Sequence, residues 1–236
     1  MKINVQSNLY TFIYASVMVI LVALALSMTF IKLKPLQQAN MLKEKQQAIL
    51  ASIGIKCERD QAPELFEKYF SQSYVVDIQG NILKDVNPLK INLEEEYAKD
   101  LKDRRLPVFV GENQGRKFFV LSVFGKGLWG PIWGYLALEE DLNTIYGVVF
   151  DHKGETPGLG AEITQSWYQK KFVGKKIFDE NGNFVSIAVV KGGAKEDDIH
   201  AVDAISGGTL TSKGLEAMLH DFLAGYVNFL KKLQEN

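Results

Sequence analysis

No charged residue occurs between Ile3 and Ile31, and the part from Thr11 to Phe30 is dominated by Ile, Val, Leu, Ala and Met. A helix rises about 1.5 Å per residue, so roughly 20 such residues cross the hydrocarbon core of a bilayer. The stretch is read as one transmembrane helix and the lipid bilayer as its first partner. A secretory signal peptide is the rival reading, because Ala23-Leu24-Ala25 has the small-x-small spacing of a cleavage site. The apolar region is longer than a signal core and continues through that site, which favours the anchor. Lys2 lies on one side of the span and Lys32, Lys34, Lys43 and Lys45 on the other, partly offset by Glu44. A positive-inside count taken alone keeps the rest of the chain in the cytoplasm.

The remainder has the composition of a globular domain. The chain has 236 residues, 47% hydrophobic and 23% charged, enough for one sizeable domain and an appendage. A formal net charge of -1 gives no basic surface, so no nucleic-acid partner is expected. The lone cysteine, Cys57, excludes an intramolecular disulfide and any multi-thiolate cluster built by this chain alone. With His152, His200 and His220 as the only histidines, no protein-held metal is expected either.

Pro35 follows the span, and Leu42, Ile49 and Ile53 recur at near-helical spacing in a polar segment that ends near Gly54. Residues 34–60 therefore read as a juxtamembrane helical stalk behind an anchor at 1–33. Runs at 74–78 and 82–83 flank Gln79-Gly80-Asn81 as in a hairpin. The charged block 94–105 has a helical composition and predicts an exposed face. Residues 117–124, 132–138 and 145–150 are β-branched or aromatic runs whose connections are too short for helical crossovers, so they predict antiparallel strands. A helix over 161–171 and strands over 184–190 and 201–205 follow. After Ser212, apolar residues at Leu215, Met218, Leu219, Phe222, Tyr226, Phe229, Leu230 and Leu233 trace one face of a helix. The fold class is α+β, an antiparallel sheet with packed helices.

Three glycine-rich segments interrupt this pattern. The first is Gly125-Lys126-Gly127-Leu128-Trp129-Gly130-Pro131, where a flat aromatic stands among residues that let the backbone turn. The second is His152-Lys153-Gly154-Glu155-Thr156-Pro157-Gly158-Leu159-Gly160, in which Pro157 forbids helix and the glycines permit close backbone approach. The third, Asp203-Ala-Ile-Ser206-Gly207-Gly208-Thr209-Leu210-Thr211-Ser212, joins a short strand to a helix start. Backbone N–H groups at a helix start suit a phosphate. A serine/threonine turn capping a helix is the plain structural alternative. A threonine hydroxyl is a weak nucleophile without a base or metal, and neither is evident, so any covalent change at this turn falls to another enzyme.

The third segment resembles, with one change, the Ser-Gly-Ala-Thr element on which flavin transferases esterify the phosphate of FMN to a threonine. The Gly-Leu-Trp-Gly-Pro and Glu-Thr-Pro-Gly-Leu-Gly stretches are similar to those of the same flavoproteins. The chain is thereby identified as a member of the family of the C subunit of the Na⁺-translocating NADH:quinone reductase, related to the G subunit of the Rnf complex. The resemblance implies covalent FMN on Thr209, with Ser206, Gly207, Gly208, Leu210, Thr211, Glu155, Thr156, Leu159, Gly160 and Trp129 bordering it. It implies a transferase that recognises Asp203, Ser206, Gly207 and Thr209 and uses FAD as donor with Mg²⁺ as electrophile. Gly208 stands where the family usually has alanine, and Thr211 is the competing hydroxyl.

The implied protein is an electron-carrying subunit in the bacterial inner membrane, its flavin domain at 61–236 on the outer, periplasmic face. That placement opposes the lysine count, and the more specific motif is followed. The resemblance brings in the other membrane subunits of a sodium pump, electrons from an iron centre among them, and the flavin of the pump's B subunit as acceptor. NADH and quinone are handled elsewhere, and the chain has no catalytic residue of its own. An Rnf-type subunit with covalent FMN and a cofactor-free, membrane-tethered binding or sensor domain are the alternatives. Lys213 precedes Gly214 and no hydroxyl follows, which excludes a Walker phosphate loop, and no Gly-x-Gly-x-x-Gly opens a parallel unit.

Overall fold

The computed structural model describes residues 6–235. Residues 1–5 and 236 lie outside the described residues, and with them Lys2 and the start of the uncharged run. The chain divides into two compact units, the first ending at Lys43 and the second beginning at Glu44.

The first unit is the part of helix α1 (Asn8–Ser52) that ends at Lys43. Leu21, Leu26, Phe30 and Ile31 on it are exposed. Apolar surface left in water costs about 25 cal/mol per Å², a cost that a bilayer removes. By length and composition this helix can cross a membrane. It includes Pro35, which lacks the N–H of its ladder bond.

In the second unit the last turns of α1 bury Ile49 and Leu50, and Ile53 just past its end is buried with them. The near-helical apolar positions in the second part of the expected stalk are thus core residues. Helix α2 (Ala62–Tyr69) leads into strand β1 (Phe70–Val76), and β2 (Ile82–Leu83) returns as a hairpin. After helix α3 (Leu93–Tyr97) come β3 (Leu106–Asn113), β4 (Arg116–Lys126), β5 (Pro131–Leu138) and β6 (Ile145–His152). These form a six-stranded, wholly antiparallel sheet in the order β2-β1-β3-β4-β5-β6. The α+β class read from the sequence is the observed one.

Both faces of the sheet are covered, which is why its strands read as nearly continuous apolar runs. On one face Phe109, Phe118, Val120 and Tyr135 pack with Ile49, Leu50, Phe66 and Phe70. On the other, Val108, Phe119, Leu121 and Leu136 pack with residues of helices α5 (Thr209–Leu223) and α6 (Val227–Gln234). Between β6 and α5 lie helix α4 (Ser166–Gln169) and a two-stranded parallel sheet of β7 (Ala188–Val190) and β8 (Ala201–Asp203).

Four local expectations change. The helix expected over 161–171 is a series of short turns, interrupted at Gln165, whose ψ of 136° is extended. The strand expected over 184–190 is confined to β7. Val185 and Ser186 both donate to the Ile177 carbonyl, and Ser186 has φ 60°, so the chain cannot join a ladder there. The long helix starts at Thr209 rather than after Ser212. The block 94–105 is largely the exposed face expected, but Glu96 departs from it, being fully buried and bonded to Arg105 and Lys99.

Candidate functional site

The β4–β5 connection, the loop after β6 and the turn between β8 and α5 meet at the N-terminal end of α5, and Glu155 joins them. Its side chain is buried, the residue being 4% exposed. Oε1 accepts the Trp129 N–H at 2.8 Å and Oε2 accepts the Thr211 hydroxyl at 2.5 Å. The Glu155 N–H donates to His152 Nδ1 at 3.1 Å, giving that histidine a structural role at the end of β6. Gly160 is required beside this cluster, because a Cβ there would collide with Glu155 Oε2 and Thr211 Oγ1.

The turn into α5 is closed by its own backbone and one serine. The Gly208 N–H donates to the Ile205 carbonyl at 3.0 Å, and Gly207 takes φ 74°, a region that favours glycine. Ser212 Oγ accepts the Ile205 N–H at 3.0 Å. Leu159 reaches over this turn, since a Cβ on Gly207 would stand 2.6 Å from its Cδ2. A Cβ on Gly208 would meet Ile205 Cγ2 at 3.0 Å and Gly160 N at 3.3 Å, a tight but not blocked position.

Thr209 is the first residue of α5 and half-buried. Thr211, two residues on, is 1% exposed with its hydroxyl held by Glu155. Ser206 and Thr156 are exposed, and the Thr156 carbonyl accepts from Leu159 and Ala161 N–H groups at 3.1 Å. Four large apolar side chains on these loops face solvent: Leu128, Leu159, Leu210 at 57% exposure and Trp129 at 68%.

Asp203 stands apart from the Glu155 cluster, on β8. Its carboxylate accepts from Lys171 Nζ at 2.5 Å and from the Ala194 N–H at 2.8 Å. The Lys171 hydrogen bond, with that of Ala194 and the charge of Lys171, holds this carboxyl below the usual range. The neighbouring Tyr168 hydroxyl is buried without a hydrogen-bond partner among the described residues, and burial, then the charge of Asp203, pushes it up.

Chemically the arrangement is a binding surface. A 15-residue helix offers first-turn N–H groups to an anion, and exposed apolar side chains beside it suit a planar ring. Among the described residues no group of His, Cys, Asp and Glu could hold a metal. A separate cavity of about 370 Å³, lined by Ser186, Lys213, Glu216 and His220 among others, includes none of these loops. Lys171 escaped sequence reasoning, since Asp203 is brought to it only by the fold, whereas Ser212 acts seven residues back within the turn already singled out.

A family model of the FMN-binding domain matches residues 127–224, a span that begins at Gly127 and contains Glu155, Thr209 and Thr211. The C subunit of the Na⁺-translocating NADH-quinone reductase of Vibrio vulnificus is 33% identical over 231 residues, covering 90% of each chain. The protein of that name from Neisseria meningitidis serogroup A is 34% identical over 222 residues, covering 86% of this chain and 85% of its own. The crystal structure of the C subunit from Parabacteroides distasonis superposes with a TM-score of 0.77 at 39% identity, over 84% of this chain and 96% of that one. Shewanella oneidensis NqrC gives a TM-score of 0.71 at 30% identity, over 83% and 98%.

Proposed function

Because this chain belongs to the family of the C subunit of the Na⁺-translocating NADH-quinone reductases, we propose that it carries FMN as a phosphoester on Thr209 and relays electrons within such a complex. The observation that carries the reading is the contrast between two threonines. Thr209 is half-buried at the start of α5, while the Thr211 hydroxyl is buried against Glu155. A phosphate on Thr209 lies where the N-terminal end of α5 favours negative charge, by about 0.3–1 kcal/mol. Ser206, Gly207, Gly208 and Leu210 form the turn beneath it, and Trp129, Thr156, Leu159 and Gly160 the facing wall.

Bound FMN supplies the redox chemistry, and the protein orients the cofactor and tunes it by its surroundings. Attachment is done by a flavin transferase with FAD as donor. The Thr209 Oγ–phosphorus bond forms, the bond between the two FAD phosphates breaks, AMP leaves, and the hydroxyl proton passes to a base on the transferase. Asp203, Ser206, Gly207 and Thr209 are its recognition residues. Residues 1–33 are the membrane anchor and 61–236 the flavin domain, on the periplasmic face of the inner membrane. The partners are the other membrane subunits, with electrons entering from an iron centre and leaving to the flavin of the B subunit.

The test is expression of the full chain with a flavin transferase, followed by in-gel fluorescence under denaturing conditions. A fluorescent band is expected for the wild type and none for Thr209→Ala. A dark wild-type band refutes the covalent assignment.

A further inference from the structure

Glu96 and Glu155 are the buried carboxylates among the described residues, and their surroundings differ. Glu96 has Arg105 and Lys99 beside it. The partners of Glu155 are instead a backbone N–H and a threonine hydroxyl. Burying a carboxylate without a cation is unfavourable unless its oxygens are hydrogen-bonded. Both Glu155 oxygens are, one from the Trp129 loop and one from the third residue of α5, where the helix N-terminus favours negative charge. Gly127 and Gly160 have no side chain to displace it, since a Cβ on either would collide with a Glu155 oxygen.

We propose that Glu155 is a positioning residue that clamps the Trp129 loop to the first turn of α5, and so holds the ring-facing wall in register with Thr209 without touching the flavin itself. The proposal rests on the FMN reading above and deepens it. Two loops and a helix start that come from distant parts of the chain are joined through one carboxylate. Without it, the Trp129 loop loses its link to the helix that bears the cofactor, and small displacements at such a site are enough to uncouple it. The carboxylate is buried with both oxygens occupied, so a polar edge of the ring has no access to it.

Glutamine separates positioning from charge. Its amide oxygen can accept the Trp129 N–H while its NH₂ donates to Thr211 Oγ1, so both links survive without the charge. Alanine removes both, and Thr211→Val removes one while keeping the shape of the threonine.

The experiment uses the full chain co-expressed with the transferase, and reads denaturing-gel fluorescence, visible circular dichroism of the bound flavin and its midpoint potential. Glu155→Ala is expected to keep the fluorescent band but lose the flavin dichroism and shift the potential. Glu155→Gln restores both, and Thr211→Val falls between. Unchanged dichroism and potential in Glu155→Ala overturn the proposal. So does a Glu155→Gln protein shifted as far as Glu155→Ala, which makes the charge itself the agent. Should Glu155→Ala fail to fold, unchanged dichroism in Thr211→Val overturns it alone. A dark band in the wild type instead refutes Thr209 as the anchor, and the proposal with it.

Discussion

The Arg105 guanidinium grips a carboxylate that has no solvent exposure: Glu96 Oε1 accepts from Nη2 at 2.6 Å and from Nε at 2.9 Å. Lys99 Nζ and the Arg105 N–H bond the other oxygen at 2.7 and 2.9 Å. This ties α3 to the start of β3. Glu96→Gln loses the charge-assisted part of these bonds and sets an NH₂ against cationic donors. The cost expected is about 1–3 kcal/mol, held down because Lys99 and Arg105 are partly exposed and keep their water. Chemical denaturation against the wild type measures it.

The same residue gives a pH dependence. Burial alone would raise the Glu96 carboxyl, but the hydrogen bonds from Arg105 and Lys99 outweigh it and hold the group below its usual range. Asp203 is held low by Lys171 and the Ala194 N–H. A carboxyl with a depressed folded pKa contributes stability above its unfolded value, about 4, and loses it as pH falls through the folded value. Stability is therefore expected to decline below about pH 4, and less steeply in Glu96→Gln. An equally steep acid limb in the variant would count against the assignment.

Gly214 lies inside α5, where alanine would normally stabilise a helix by about 0.5–1 kcal/mol. Here a Cβ would collide with the Lys126 carbonyl, so helix and hairpin could no longer pack this closely. Overpacking costs about 1–3 kcal/mol and wins. Gly214→Ala is expected to lower the melting temperature, and a rise would show that the contact yields.

Tyr226 is fully buried and its hydroxyl reaches the carbonyls of Pro107 and Ser122, each at 3.0 Å. Tyr226→Phe removes that donor. A loss of about 1–3 kcal/mol is expected in urea denaturation, with the flavin band of the transferase-treated protein intact, since this contact lies on the sheet and not in the glycine loops.

Thr211→Val tests the choice between hydroxyls. The fluorescent band is expected to persist, because Thr209 is untouched, while stability falls by about 1 kcal/mol from the hydrogen bond lost to Glu155. Loss of the band would move the attachment point to Thr211.

Several elements were legible without coordinates because they rest on short-range chemistry. The β-branched and aromatic runs of β4, β5 and β6, with connections too short for crossovers, required antiparallel pairing, and the uncharged first part of α1 is long and apolar enough to cross a membrane. The spacing of Leu215, Met218, Leu219 and Phe222 identified the buried face of α5. The family model covers the second and third glycine loops that the residue pattern singled out, and the first from Gly127 onward.

What composition could not convey was which polar groups go inside. Glu96 stands in a charge run that looks solvated, yet Arg105, nine positions on, draws it into the core. Glu155 reads as a carboxylate in a binding loop, and the fold brings Trp129 and Thr211 to its two oxygens. The sequence by itself determined the long apolar helix, the antiparallel sheet and the glycine turn at Thr209, because periodicity, turn chemistry and hydrophobicity act between near neighbours. The tertiary structure alone decided that Glu155 is buried and that Thr211 is closed while Thr209 is not. Each of those outcomes depends on a partner 26 to 56 residues away, whose approach only the packed core can arrange.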